Sequence, residues 1–396
     1  MKIAILTQPL RRNYGGLLQA YALQTVLRRM GHDPVMADRQ EGRPPLRLMC
    51  LRLLSWVKCV VRIYLLHRSG YVLCNPFAWR YDCHMPRACD SSALDRFADE
   101  RIRTSPRPIR SSCALRRYIV RGGFGAVVVG SDQVWREAYS PCITDYFLAF
   151  LPQSFSCRKV SYAASFGISP PDIASKRLSA CVRGLQSFEA LSVRESSGRD
   201  ILRGSFRRDA AVTLDPTMLL DPADWLQLAA MEEEPAPVFS LGYILDTSAF
   251  KCRIAEDLSA RLAVGCRMLS IAPDRQDRGG FVYRSVPDWL RSFASASYVV
   301  TDSFHGCVFA ILFNKPFLAI ANPDRGVDRF ETLLGHFGLR ERMVYSYEEY
   351  LNRRSSLLSP IDYAPVNARR EQLKAASIRW LAEALAGEES TTPNRT

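Results

Sequence analysis

No apolar run in the chain reaches the ~18 uncharged residues of a membrane-spanning helix, which excludes an integral membrane protein. The opening residues, Met1-Lys2-Ile3-Ala4-Ile5-Leu6-Thr7, are too short an apolar stretch for a secretory signal and read as a first strand. A cytoplasmic protein is therefore expected. The twelve cysteines contain no Cys-x-x-Cys, so zinc ribbons and thioredoxin-like sites lose their usual spacing. A disulfide scaffold is out of place in a 396-residue chain that is 47% hydrophobic, and most cysteines are expected as small buried apolar groups. No ligand cluster calls for a metal, and no redox cofactor is expected. Composition near the globular average excludes a disordered or collagen-like chain.

Acidic residues are scarce in the first third. Residues 1–125 carry 22 Lys+Arg against 8 Asp+Glu, whereas the remainder carries 31 against 32. The whole net charge of +13 thus lies near the start, and an anionic partner is expected there. No nucleic-acid motif accompanies it, so nucleic acid is not that partner.

Residues 2–7 read as a buried strand, followed by the glycine-bearing loop Arg11-Arg12-Asn13-Tyr14-Gly15-Gly16. A helix over 17–30 closed by Gly31 and a strand over 34–38 complete the opening of a doubly wound parallel sheet. The loop is not Gly-x-Gly-x-x-Gly and does not announce a dinucleotide. Residues 42–125 look like an insertion. Within it, 46–66 has a helical pattern with Leu46, Met49, Leu53, Trp56, Val57, Val60 and Tyr64 on one face. Arg47, Lys58 and Arg62 lie opposite, with Arg52 at the margin. Such a helix either packs its stripe on its own domain or lies on an anionic membrane face.

Further strands are expected at 126–129, 159–163, 190–193 and 210–214, then an acidic, Pro-containing linker at 221–237. A second series follows, with strands at 238–244, 267–271, 298–301 and 317–320. Its helices are expected at 250–264, 286–296, 307–314, 329–337 and 367–386. The expected fold is α/β and GT-B-like: two Rossmann-like, doubly wound domains facing a central cleft. Residues 1–222 form the acceptor side with the basic helical insertion at about 42–125. Residues 236–386 form the donor side with a last helix over 367–386, and 387–396 a frayed tail.

Polar groups recur where apolar strands end: Asn13, Asp132, Ser165, Arg194, Asp215 and Asp302-Ser303-Phe304-His305. In open α/β sheets ligands bind in the crevice at those ends. Asp215-Pro216 reads as a structural turn. In Thr301-Asp302-Ser303-Phe304-His305-Gly306 a strand delivers an acid, a hydroxyl and an imidazole to a helix start, which favours an anion. His305 can donate to a phosphate oxygen or act as general acid, or it is packed while Asp302 or Ser303 caps the helix. Arg194 offers a fork for carboxylate or phosphate, or a surface ion pair with Glu195.

Several blocks, in order, resemble the polysaccharide pyruvyl transferase family. They are Asn13-Tyr14-Gly15-Gly16-x-x-Gln19-Ala20-Tyr21-Ala22-Leu23-Gln24, Gly130-Ser131-Asp132-Gln133-Val134-Trp135 and Ser161-Tyr162-Ala163-Ala164-Ser165-Phe166-Gly167. Ser192-Val193-Arg194-Glu195-x-Ser197-Gly198, Leu214-Asp215-Pro216-Thr217, the 301–306 block and Asn314-Lys315-Pro316 continue the series. The resemblance implies transfer of a pyruvyl group from phosphoenolpyruvate to a sugar of a capsule or exopolysaccharide precursor, giving a cyclic ketal and phosphate. It implies donor binding by Arg194 and His305, beside which Ser303 and Arg329 are expected, while the strand ends of the first sheet put Asn13, Tyr14, Asp132 and Ser165 on the acceptor side. His305 and Asp132 would be the acid and base, with Asp302 in reserve. The acceptor would plausibly ride on a polyprenyl phosphate, which a peripheral protein at the inner membrane face would meet. Ser303 stands where better-studied members carry an Arg, so Arg329 or an Arg of the basic third would have to replace it. Arg136-Glu137 stands where Asn-Pro is common, a departure on the acceptor side. Two other readings stay open: a glycosyltransferase using a nucleotide sugar, and an inactive member of a polysaccharide assembly complex.

Overall fold

The computed structural model describes residues 1–10, 13–42, 46–67, 90–152, 154–230, 238–269, 283–322 and 326–387. Two all-parallel sheets organise them. The first contains β1 (Lys2–Leu6), β2 (Asp33–Met36), β3 (Ala126–Val129), β4 (Arg158–Ala164), β5 (Ala190–Val193) and β6 (Ala211–Val212), in the order β2-β1-β3-β4-β5-β6. The second contains β7 (Phe239–Tyr243), β8 (Gly265–Met268), β9 (Tyr298–Thr301), β10 (Phe317–Ile320) and β11 (Met343–Val344), in the order β11-β10-β9-β7-β8. Runs such as Ala126-Val127-Val128-Val129 are buried throughout because helices cover both faces of a parallel sheet. The order reverses beside β1 in the first sheet and beside β7 in the second. Those switch points open the crevices where ligands of such folds sit.

The expected linker at 221–237 is in part a helix, Pro222–Ala229. Asp221 and Asp224 form a reciprocal capping box, Pro222 opens the first turn, and Trp225 is fully buried against Tyr21 and Phe309. Acidic residues and proline signal a loop, but the same residues start a helix when an apolar anchor follows. Residues 231–237 lie outside the described residues, as do Arg11, Arg12 and the tail from 388. The helix expected from 307 starts at Phe304, so His305 stands in its first turn. The helix Tyr347–Leu357 had no expectation.

The last helix, Tyr363–Ala386, was expected with the second domain but also leans on the first sheet. Arg158 donates to the Ala384 carbonyl at 2.7 Å, the Leu214 amide donates to Ser377 Oγ at 3.1 Å, and Trp380 lies 6.2 Å from Tyr162. A continuous core through Leu17, Trp225, Trp289, Phe309 and Leu381 joins both domains. Of the described cysteines only Cys157, Cys181 and Cys307 are buried, fewer than expected. The insertion holds helices Leu46–Val60, Ser92–Arg101 and Ser112–Arg121. Among the described residues no helix is long and apolar enough to cross a membrane.

Candidate active site in the interdomain cleft

The floor of the cleft is a set of loops stitched together beyond the first sheet. Gln19 donates to Thr7 Oγ1 at 3.0 Å, Thr7 donates to the Ser131 carbonyl at 2.9 Å, and the Ser131 amide donates to Gln19 Oε1 at 3.2 Å. This joins the loops after β1 and β3 across the switch point. Next along, Asp132 adopts a left-handed φ of 70°. The Ser165 amide donates to the Asp132 carbonyl and the Trp135 amide to the Ser165 carbonyl, each at 3.1 Å. Asp132 and Ser165 are thereby neighbours, although 33 positions separate them in the chain.

Arg194, at the end of β5, is buried. Its Nη1 donates to Asp215 Oδ2 at 2.8 Å and its Nη2 to Asp132 Oδ1 at 3.5 Å. The alternative of a surface pair with Glu195 is excluded: Glu195 Oε1 instead accepts from the Phe166 amide at 3.0 Å. Asp215 is not merely a turn residue. One oxygen accepts from the Thr217 amide and hydroxyl, while the other faces Arg194, Ser131 Oγ and, at 3.8 Å, His305 Nε2 of the second domain. Its place at a strand end was legible, but the following Pro suggested a purely local role.

His305 is seated by Gly15. A Cβ on Gly15 would lie 2.0 Å from His305 Nδ1, so the first turn of the Tyr14–Arg29 helix admits the imidazole only because it has no side chain there. Phe304 presents its ring to two guanidiniums, with Arg194 at 4.4 Å and Arg329 at 5.7 Å from its centroid. Arg329 therefore does join the cluster, from the helix Asp328–Phe337. Gly326, at φ 86°, brings that segment against the Gly167 carbonyl, where a Cβ would lie 1.6 Å away.

Other expected residues lie apart. Tyr14 is buried, stacks on Trp289 at 5.5 Å and donates to the Arg284 carbonyl at 2.9 Å, which pins the two domains together. Asn13 is exposed at the start of its helix, and its side chain makes no capping bond. Ser303 caps the Phe304–Leu312 helix through the Gly306 amide. Asp302 is fully buried. It accepts from the Leu245 amide at 2.6 Å, the Asp246 amide at 3.2 Å and Lys251 Nζ at 2.7 Å. Its carboxylate thus ties the switch-point loop of the second sheet. No group of residues suited to a metal occurs among the described residues.

Burial holds the His305 imidazole below its ordinary pKa, against the opposing pull of Asp215. Burial also lowers Arg329 to about 10, and Arg194 adds to the effect. For Asp215 burial alone would raise the pKa, but His305, Arg194 and Thr217 bring it below the ordinary carboxylate value. Burial raises Glu195 despite Arg194 and Arg329 nearby. Ser165 Oγ, Arg194 Nε, Glu195 Oε2 and His305 Nε2 are buried polar atoms with no hydrogen-bond partner among the described residues. Such atoms are costly and uncommon, and these four belong to one cleft.

A search of the curated proteins finds no match. Among solved structures, the UDP-GlcNAc 2-epimerase of Neisseria meningitidis bound to UDP-GlcNAc is similar over 98% of this chain and 100% of its own. The identity is 9% and the TM-score 0.51. The Methanocaldococcus jannaschii UDP-GlcNAc 2-epimerase in complex with UDP-GlcNAc and UDP is similar over 96% and 99%, at 10% identity and TM-score 0.50. Likeness at this identity concerns the fold alone, which is GT-B-like. The sequence blocks that build the cleft carry more than the fold does. A family model described as polysaccharide pyruvyl transferase matches residues 13–325, from the helix that seats His305 to the edge of the segment that brings in Arg329, and the chain belongs to that family.

Proposed function

We propose that the protein transfers a pyruvyl group from phosphoenolpyruvate to a sugar of a capsule or exopolysaccharide precursor, closing a cyclic ketal over two hydroxyls. The observation that carries this reading is the buried group in which Asp215 faces both Arg194 and His305, Arg194 and Arg329 lie against the Phe304 ring, and Arg194 Nε and His305 Nε2 have no hydrogen-bond partner among the described residues. Phosphoenolpyruvate has a carboxylate and a phosphate, each suited to a guanidinium fork, and an enol carbon that needs a proton.

The roles follow from the chemistry. Arg194 and Arg329, both against the Phe304 ring, bind the two anionic groups of the donor. His305 protonates the methylene carbon, and the first sugar oxygen bonds to the adjacent carbon. The second hydroxyl then attacks that carbon, the bond to the phosphate oxygen breaks, and phosphate leaves with the electron pair. Asp132 accepts the proton of the first hydroxyl and passes it to the departing phosphate, while His305, neutral after its donation, takes the proton of the second. His305 favours its neutral form in the ligand-free protein, so its acid role requires a donor whose negative charge restores the proton. Asp215 holds Arg194 and faces His305, coupling the donor's cation to its acid. Incubation with phosphoenolpyruvate and a panel of oligosaccharide acceptors, with phosphate release as readout, tests the proposal. Release of a nucleoside diphosphate from sugar nucleotides, with phosphoenolpyruvate untouched, would replace it with a glycosyltransferase.

A further inference from the structure

The helix Leu46–Val60 and its continuation Val61–Leu65 have an unusual surface. No described side chain from Met49 to His67 is buried. Of the seven stripe residues expected to pack inward, Met49, Trp56 and Val60 are only half-buried, while Leu46, Leu53, Val57 and Tyr64 are exposed. Leu46, Leu53, Leu54, Val57, Val61 and Leu65 recur at spacings that bring them to one side, with exposures from 38% to 79%. An outward apolar strip of this length is the kind of surface that marks an interaction site.

The charge along this stretch of sequence has one sign. Between Glu41 and Asp82 there is no acidic residue, while seven Lys or Arg occur. Lys58 and Arg62 are exposed, one turn apart, at the margin of the strip.

We propose that this helix docks the protein on an anionic lipid surface, lying in the plane of the headgroups. An apolar strip with a basic margin is what such an interface accepts: the strip enters the acyl boundary and the cations meet acidic headgroups. A nucleic acid would satisfy the cations but leave the strip in water. A second copy would cover the strip but bring two positive helices together. The docking is independent of the donor chemistry, so a failed transferase assay leaves it standing.

The test is flotation of the full chain with vesicles of equal parts phosphatidylglycerol and phosphatidylcholine, beside vesicles of phosphatidylcholine alone. The expected result is flotation with the anionic vesicles at low salt, weakened at high salt, and none with the neutral ones. Two double variants separate the contributions. Lys58→Glu with Arg62→Glu should weaken binding by more than about tenfold, since each cation near the surface is worth roughly fivefold. Leu54→Ser with Val57→Ser should weaken it at low salt and leave no salt-resistant fraction. Circular dichroism verifies that both variants remain folded. Absence of the wild-type protein from the floated fraction at low salt, or charge-reversed protein floating as well as wild type, overturns the proposal. So does a dimer that the serine variant dissociates without any vesicle binding.

Discussion

His305 Nε2 of the second domain lies 3.8 Å from Asp215 Oδ2 of the first, and the same Asp215 oxygen accepts from Arg194 at 2.8 Å. One carboxylate thus connects a permanent cation to a titrating imidazole across the domain boundary. Asp215→Asn keeps the shape but removes the charge that opposes the burial-driven loss of the His305 proton. The alkaline limb of the pH–rate profile, where the acid loses its proton, should move to lower pH, and turnover should fall more than donor affinity. Leaving Arg194 buried with a weaker partner should also cost about 3 kcal/mol of stability, read by denaturant unfolding. An unmoved limb would assign Asp215 to structure alone.

His305 also sets the pH dependence of stability. Its folded pKa lies below the ordinary 6.5, so the unfolded chain takes up the proton first and stability falls as pH drops below that value. His305→Gln should flatten the slope of unfolding free energy below about pH 6.5. A slope identical to that of wild type would mean that the imidazole titrates normally.

Gly15 tests the seat of the imidazole. Gly15→Ala adds one methyl group where His305 Nδ1 stands, so the ring must move. Turnover should fall on the order of 100-fold, the scale of losing a general acid. Alanine suits a helix better than glycine, so the helix itself should not weaken. Near-normal turnover in the folded variant would show that His305 can shift without consequence.

Arg329 is held near Arg194 in a buried site, and its pKa falls to about 10. Arg329→Met exchanges that cation for an apolar chain of similar length, so any change in unfolding of the ligand-free protein is read apart from donor affinity. Affinity for phosphoenolpyruvate should drop by about 1.5–3 kcal/mol, the worth of a charge-assisted hydrogen bond. Calorimetry and thermal unfolding on the same preparation separate the two effects. Unchanged affinity would leave the donor phosphate to another cation.

Asp302 should behave differently. Its carboxylate is engaged by two amides and by Lys251. Asp302→Asn should lower stability by a few kcal/mol, as expected when one partner of a buried ion pair is removed. The pH–rate profile should keep its shape. A lost limb in that profile would restore Asp302 to the acid–base chemistry.

Much of this organisation is legible in the sequence because short, fully apolar runs ending in polar groups are characteristic of buried parallel strands. The strands at 126–129, 190–193, 298–301 and 317–320 match residue for residue. Asp132, Ser165, Arg194 and His305 stand out in the sequence as strand-end groups in family blocks, and Arg329 only as one candidate for the Arg missing before His305. What was not legible depends on three-dimensional neighbours. Tyr14 resembles an acceptor residue until Trp289 and the Arg284 carbonyl are seen to occupy it. Asp215 resembles a turn until Arg194 and His305 arrive from elsewhere. The 221–237 stretch looks like a linker because Asp and Pro signal helix starts and loops alike, and only the burial of Trp225 decides between them.

The central claim is that phosphoenolpyruvate binds at Arg194, Arg329 and His305 and restores the proton that burial removes. Calorimetric titration of the protein with phosphoenolpyruvate near neutral pH, in two buffers of different ionisation enthalpy, measures affinity and proton uptake together. The account predicts binding with net proton uptake, and loss of that uptake in His305→Gln. Binding heat from a sugar nucleotide but none from phosphoenolpyruvate, or donor binding with no proton taken up in either buffer, would contradict it.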